Sequence, residues 1–145
     1  MLTLSGKRVV PYDAEDLWDL LMDPTVIRRC LPGCDRLHEV GEGKFDVVLR
    51  FRIGLLSSRF RGDVELLECE PASGYRMKVE AKGSSGFVRG STRVQLHPVG
   101  AGANTEVEYE SRTEFGGLLA SVGGRVLDGA ARRFADSFFE QLTKS

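Results

Sequence analysis

The residues of this chain that could ligate a metal or move a proton are few, and their spacing argues against both uses. Cys30, Cys34 and His38 recur every four residues, which on a helix would present three ligands on one face. Pro32 and Gly33 fall between them and break such a helix, and no fourth ligand is evident in sequence. The expectation is no metal site, with the two thiols packed in a buried turn as small hydrophobes. Cys69 makes the count odd, so no disulfide framework is indicated. The two histidines, His38 and His97, lie beside no obvious nucleophile and read as exposed loop residues. No catalytic residue and no cofactor is assigned. The glycine pairs lack GxGxxG spacing, which argues against a dinucleotide loop.

Hydroxyls are more suggestive. Tyr109, Ser111 and Thr113 alternate with Glu108, Glu110, Arg112 and Glu114, which puts three hydroxyls on one otherwise apolar strand face. Buried hydroxyls need partners, and a polar ligand head or a trapped water would supply them. A few polar groups in an apolar cleft is how such pockets orient ligands. Trp18, Phe51, Phe60, Met77, Val126 and Phe134 are the apolar residues expected to face the same space. Core packing accounts for most of these, and fewer than half are expected to line a cavity.

The elements that must position these residues read clearly. Residues 2–10 (LTLSGKRVV) form a first strand ended by Pro11. Asp13 is placed to cap a helix over residues 14–22, and Asp23-Pro24 stops it and opens a second short helix over 25–30. The middle of the chain alternates strictly. Phe45, Val47, Leu49, Phe51 and Ile53 share one face; Phe60, Gly62, Val64 and Leu66 repeat the pattern, as do Tyr75, Met77, Val79 and Ala81. Period-two alternation predicts about seven antiparallel strands with one wet and one covered face. Residues 115–142 then read as one amphipathic helix, roughly 40 Å long. Gly123 falls near the middle of its apolar stripe, either for close helix–sheet packing or to leave room for a ligand.

The 145 residues suit a single domain spanning 1–145. A formal net charge of -1 argues against a nucleic-acid partner. No apolar run long enough for a membrane span or a signal peptide is visible, so the default is a cytoplasmic protein with reduced thiols. Arg50, Arg52, Arg59 and Arg61 flank the turn at 54–58, which carries Leu55 and Leu56. A solvated sheet face explains these arginines, and docking to an acidic partner or anionic headgroups is the alternative.

The order strand, two helices, antiparallel strands, long helix resembles the helix-grip fold of the START/Bet v 1-like (SRPBCC) superfamily, an α+β fold whose curved sheet wraps its C-terminal helix. The segments CLPGC at 30–34, GSSGFVRGS at 83–91 and GGRVLDGAAR at 123–132, with Asp23-Pro24 before them, are similar to the CoxG family, the G-type subunits of carbon monoxide dehydrogenase, over nearly the whole chain. The resemblance implies a non-enzymatic accessory of a CO dehydrogenase-type molybdenum hydroxylase that handles a quinone- or lipid-like molecule. Many members continue into a membrane-binding tail, whereas this sequence stops at Ser145, so peripheral membrane contact is left open. Two alternatives stand beside this: a polyketide cyclase/dehydratase-like enzyme using the same cavity, and an interaction module with a filled core. A void lined by Phe51, Phe60 and Tyr109 is the feature that would favour carriage.

Overall fold

The computed structural model describes residues 1–144. Strand β1 (Leu2–Val10) is followed by helices α1 (Ala14–Met22) and α2 (Pro24–Cys30). Strands β2 (Cys34–Gly41), β3 (Lys44–Ile53), β4 (Leu56–Glu70), β5 (Gly74–Gly83), β6 (Gly86–Val99) and β7 (Asn104–Gly116) come next, then α3 (Leu118–Ser121) and α4 (Gly124–Leu142). The seven strands form one antiparallel sheet in the order β1-β7-β6-β5-β4-β3-β2. The two helices carry the chain from one edge of that sheet to the other. Their ends are set locally. The Asp13 carboxylate accepts from the Asp16 amide at 2.8 Å, and that of Asp23 from Thr25 at 2.9 Å, with Pro24 beginning α2. The chain therefore has the helix-grip fold.

Where α4 crosses the sheet, its closest approaches are to α2, β1 and β3, the elements towards both sheet edges. The core is divided accordingly. One cluster joins Val10, Leu17, Leu21 and Cys30 to Val94, Val107, Phe139 and Leu142. The other joins Ile53, Phe60, Ala81, Leu119 and Leu127.

The C-terminal segment departs from the expected single helix. β7 runs on to Gly116, because Phe115 continues the strand's alternation and packs with the second cluster. Gly117 (φ 66°) turns the chain into the four-residue α3, and Gly123 (φ 93°, ψ 151°) ends that turn and caps α4. Gly123 is thus a left-handed breaker outside the helix, not a gap in its apolar stripe, and a Cβ there would meet nothing within 4 Å. The unbroken part is 19 residues, about 28 Å at the α-helical rise.

Candidate functional site

Between the two clusters the concave face of the sheet is not closed. Cross-strand register puts Leu66, Met77, Thr92, Ser111 and Leu4 in one row, and Val64, Val79, Gly90 and Thr113 in the next. Met77, Val79, Val64, Thr92, Ser111 and Thr113 are only half-buried, although they sit in the middle of their strands, and none belongs to either cluster. Side chains at the two ends of the same strands are packed: Tyr75 in one cluster and Ala81 in the other on β5, Val94 and Val88 on β6, Val107 and Phe115 on β7. Helix α4 shows the same division. Ala130 packs with the second cluster and Phe138 with the first, while Phe134, four residues from each, is half-buried and joins neither. The half-buried zone therefore lies between mid-sheet and mid-helix.

The zone is apolar apart from one hydrogen-bonded chain. Thr92 Oγ1 donates to Ser111 Oγ at 3.0 Å, and Ser111 Oγ lies 3.4 Å from Thr113 Oγ1. Neither row carries a titratable side chain. Arg8, the cation of β1 nearest α4, is committed elsewhere, to the Asp136 carboxylate at 2.9 Å and the Phe139 ring at 5.6 Å.

The residues expected to line one cavity separate into four groups. Met77, Ser111, Thr113 and Phe134 lie in the open zone. Phe60 is 1% exposed and stacked on Phe51 at 4.7 Å, both within the second cluster. Trp18 meets Tyr75 edge-on at 5.9 Å, and Tyr109 stacks on Phe139 at 5.8 Å, both in the first cluster. Phe51, Phe60 and Tyr109 therefore do not enclose a common void: the sheet's length places them in opposite clusters. Val126 and Gly123 are corrections. Val126 is 39% exposed, because the break at Gly123 puts it in the first turn of α4, beside the β3–β4 turn. A Cβ on Gly54 would lie 3.5 Å from Val126 Cγ1. At the tip, Leu55 is 93% exposed whereas Leu56 packs inward on the second cluster.

Thr92, Val79 and Gly90 belong to the zone and were not singled out from sequence. The available signal was the alternation Val88, Gly90, Thr92, Val94, Leu96, weakened at its centre by a glycine and a hydroxyl.

Among the described residues, the other candidate groups lie outside the two open rows. Cys30 and Cys34 are separated by the Pro32-Gly33 turn, and burial pushes both thiols up, away from the reactive thiolate. No group of metal-ligating side chains occurs among the described residues. His38 is exposed, and His97 is exposed with Nε2 3.2 Å from Glu108 Oε1. Two polar hollows lie on the convex face. One, of about 320 Å³, includes Glu68, Arg76 and Arg93; the other, of about 420 Å³, includes Lys7, Glu108 and Glu110. On that face Arg50 donates to Asp35 at 2.7 Å, with Arg59 3.9 Å from the same carboxylate. No helix among the described residues is long and apolar enough to cross a membrane.

A family model for CoxG, the G-type subunit of carbon monoxide dehydrogenase, matches residues 6–145. The crystal structure of a conserved protein from Geobacillus kaustophilus is similar at 29% identity and a TM-score of 0.94, covering 99% of this chain and 93% of that one. A START superfamily protein from Mycobacterium smegmatis aligns at 14% identity and TM-score 0.72, over 98% of this chain and 94% of its own. The Zhui aromatase/cyclase from Streptomyces sp. R1128 aligns at 12% identity and TM-score 0.70, over 98% and 91%. A search of curated proteins returns no match.

Proposed function

Because the chain belongs to the CoxG family of carbon monoxide dehydrogenase proteins, we propose that it binds a hydrophobic small molecule, quinone- or lipid-like, as a non-enzymatic accessory to a CO dehydrogenase-type molybdenum hydroxylase. The observation that carries this reading is the half-buried mid-sheet zone facing Phe134, between two packed clusters. A core filled throughout would bury those side chains; here they keep solvent-accessible surface while flanked by packed neighbours. A ligand that hides about 200 Å² of apolar surface there gains roughly 5 kcal/mol from leaving water, before the loss of its free motion. Access is expected at the end where the β3–β4 turn meets Val126, since α3 and the Gly123 cap are short elements that can shift.

Binding is preferred to catalysis because the two rows offer no acid or base. General acid–base chemistry needs a titratable group within hydrogen-bond reach of the substrate. Native mass spectrometry of the protein purified from its own cells tests the proposal. The expected result is a bound, solvent-extractable apolar mass. Apoprotein alone, with no uptake of an added naphthoquinone, would overturn it.

A further inference from the structure

The two edges of the sheet are finished differently. At one edge, β2 is interrupted by register shifts between Cys34 and Arg36 and between Glu39 and Gly41. It carries Asp35, Arg36, His38 and Glu39, and α2 lies beside it. Bulges, charges and a covering helix are the usual means of keeping an edge strand from pairing with another chain. At the other edge, β1 runs nine residues in unbroken register with β7 and contains no proline. Among the described residues no backbone hydrogen bond reaches it except from β7. Every second residue along it therefore turns its N–H and C=O outward. Thr3, Ser5, Lys7 and Val9 are exposed on its convex side, Val9 by 56%.

We propose that the β1 edge pairs antiparallel with the β1 edge of a second copy of this chain, about a twofold axis through Gly6, joining the two sheets into one. The strand's own sequence selects this register. Only alternate residues turn their backbone groups outward, so the axis of two identical antiparallel strands falls on a residue. With the axis on Gly6 all nine residues find partners: Lys7 faces Ser5 of the second copy, Val9 faces Thr3, and Arg8 faces Leu4. With the axis on Lys7 the two lysines would oppose each other, which is destabilising. With it on Ser5, Val9 and Val10 would run past the end of the other strand. Charge fits the Gly6 register. Lys7 lies 3.7 Å from Glu108 of its own chain. Neither Glu110 nor Arg93, its register neighbour on β6, is in an ion pair among the described residues. Between Glu110 and the edge stands only the small Ser5, beside the hollow of about 420 Å³ that both glutamates help to line. Lys7 of the second copy, set over Ser5, reaches into that hollow towards Glu110, and the axis repeats the contact. A lysine in an edge strand ordinarily discourages pairing; here self-pairing sets it against a serine backed by a carboxylate.

Sedimentation velocity over roughly 5–500 μM tests this, since an interface of one strand pair is small and binds weakly. The expected result is a passage from monomer to dimer across that range, weakened by added salt. Amides of residues 2–10 should gain protection from exchange in the concentrated sample. Lys7→Glu sets a carboxylate against Glu110 of the other copy, and Glu110→Lys sets a lysine against Lys7. Each variant alone should dimerise about tenfold or more weakly. Both positions are on the surface, where charge changes cost little folding stability. Mixed one to one, the two variants should form a heterodimer within about threefold of the natural affinity, because every contact across the axis then joins opposite charges. A chain that stays monomeric at the top of the range overturns the proposal. So does a dimer that leaves residues 2–10 unprotected, or one that Lys7→Glu leaves unchanged or strengthens; strengthening is the behaviour of a lysine that guards the edge. A mixture that dimerises no better than its components overturns it as well.

Discussion

The two ends of the concave face use the same kinds of residue and are closed differently. Beneath α1 and α2, Leu17, Val10, Cys30 and Leu142 have no exposed surface, and polar ties reinforce them. Tyr12 donates its hydroxyl proton to the Leu142 carbonyl at 3.0 Å, and Thr105 donates to the Tyr12 carbonyl at 2.8 Å. At the other end Leu55, Leu118 and Val126 are 93%, 57% and 39% exposed, and the covering helix is interrupted by a left-handed glycine. The Ser85 hydroxyl beside α3 is buried without a partner. The contrast teaches how a grip can hold and still exchange a ligand: one end packs the helix without exposed surface, and the other holds it through Leu119 and Leu127 while its tip stays exposed. Substitutions should therefore weigh very differently at the two ends.

The largest contrast is in stability. Leu17→Ala and Leu142→Ala each empty a fully buried site and are expected to cost about 2–5 kcal/mol. Val126→Ala, at the rim, should cost under about 0.5 kcal/mol. Urea midpoints at an unchanged m-value measure both. Amide exchange read along α4 in the natural protein should be slow at 138–142 and fast at 118–126. Equal protection along the helix would remove the comparison.

Gly123→Ala comes next. Its φ of 93° and ψ of 151° lie in a region essentially confined to glycine, so alanine there costs about 1–3 kcal/mol by backbone strain. No atom lies where the new Cβ would go, which leaves the strain as the whole effect. Relief would come by joining α3 to α4, so helicity by circular dichroism should rise as stability falls. Loss of helicity would count against this account of the break.

That joined helix is what the sequence alone suggests, and the reason is instructive. Leu119, Val122, Val126, Leu127 and Ala130 keep helical spacing across the interruption, so periodicity cannot register a left-handed cap between them. Where the local signal was a side-chain cap, as at Asp13 and Asp23-Pro24, the element was legible almost to the residue. The strands were legible for the same reason, since alternation is local. Membership of the pocket was not. Tyr109 and Ser111 are adjacent on one face, yet the first stacks on Phe139 and the second is half-buried in neither cluster, bonded to Thr92. That difference is set by where α4 crosses the sheet, which no stretch of sequence encodes. Thr92 entered the site only through its partner on β7.

Ser85→Ala tests the open end in the opposite direction. An unpaired buried hydroxyl carries a desolvation cost with no bond to offset it, and its removal leaves the Ser85 carbonyl, which accepts from the Leu119 amide at 2.9 Å, in place. The variant should be unchanged or up to about 1 kcal/mol more stable. A loss of stability would mean that the hydroxyl has a partner in solution and that the open end is better tied than its contacts indicate.

The smallest effect concerns how the β3–β4 hairpin is held as it approaches the open tip. Asp35 accepts a hydrogen bond from Arg50 and lies near Arg59, which is the register partner of Arg50 across the hairpin. The Arg50 guanidinium holds the Asp35 carboxyl below its usual range. A depressed folded-state pKa gives stability that is present above the unfolded value of about 3.9 and lost as pH falls through the folded one. The pair is exposed, so the effect is local and screened by salt. Amide exchange over 50–59 should therefore quicken below about pH 4 relative to the first cluster, and Asp35→Asn should exchange quickly at every pH. If both ends quicken together in the natural protein, acid loosens the molecule as one unit, and the open tip has no tie of its own to lose.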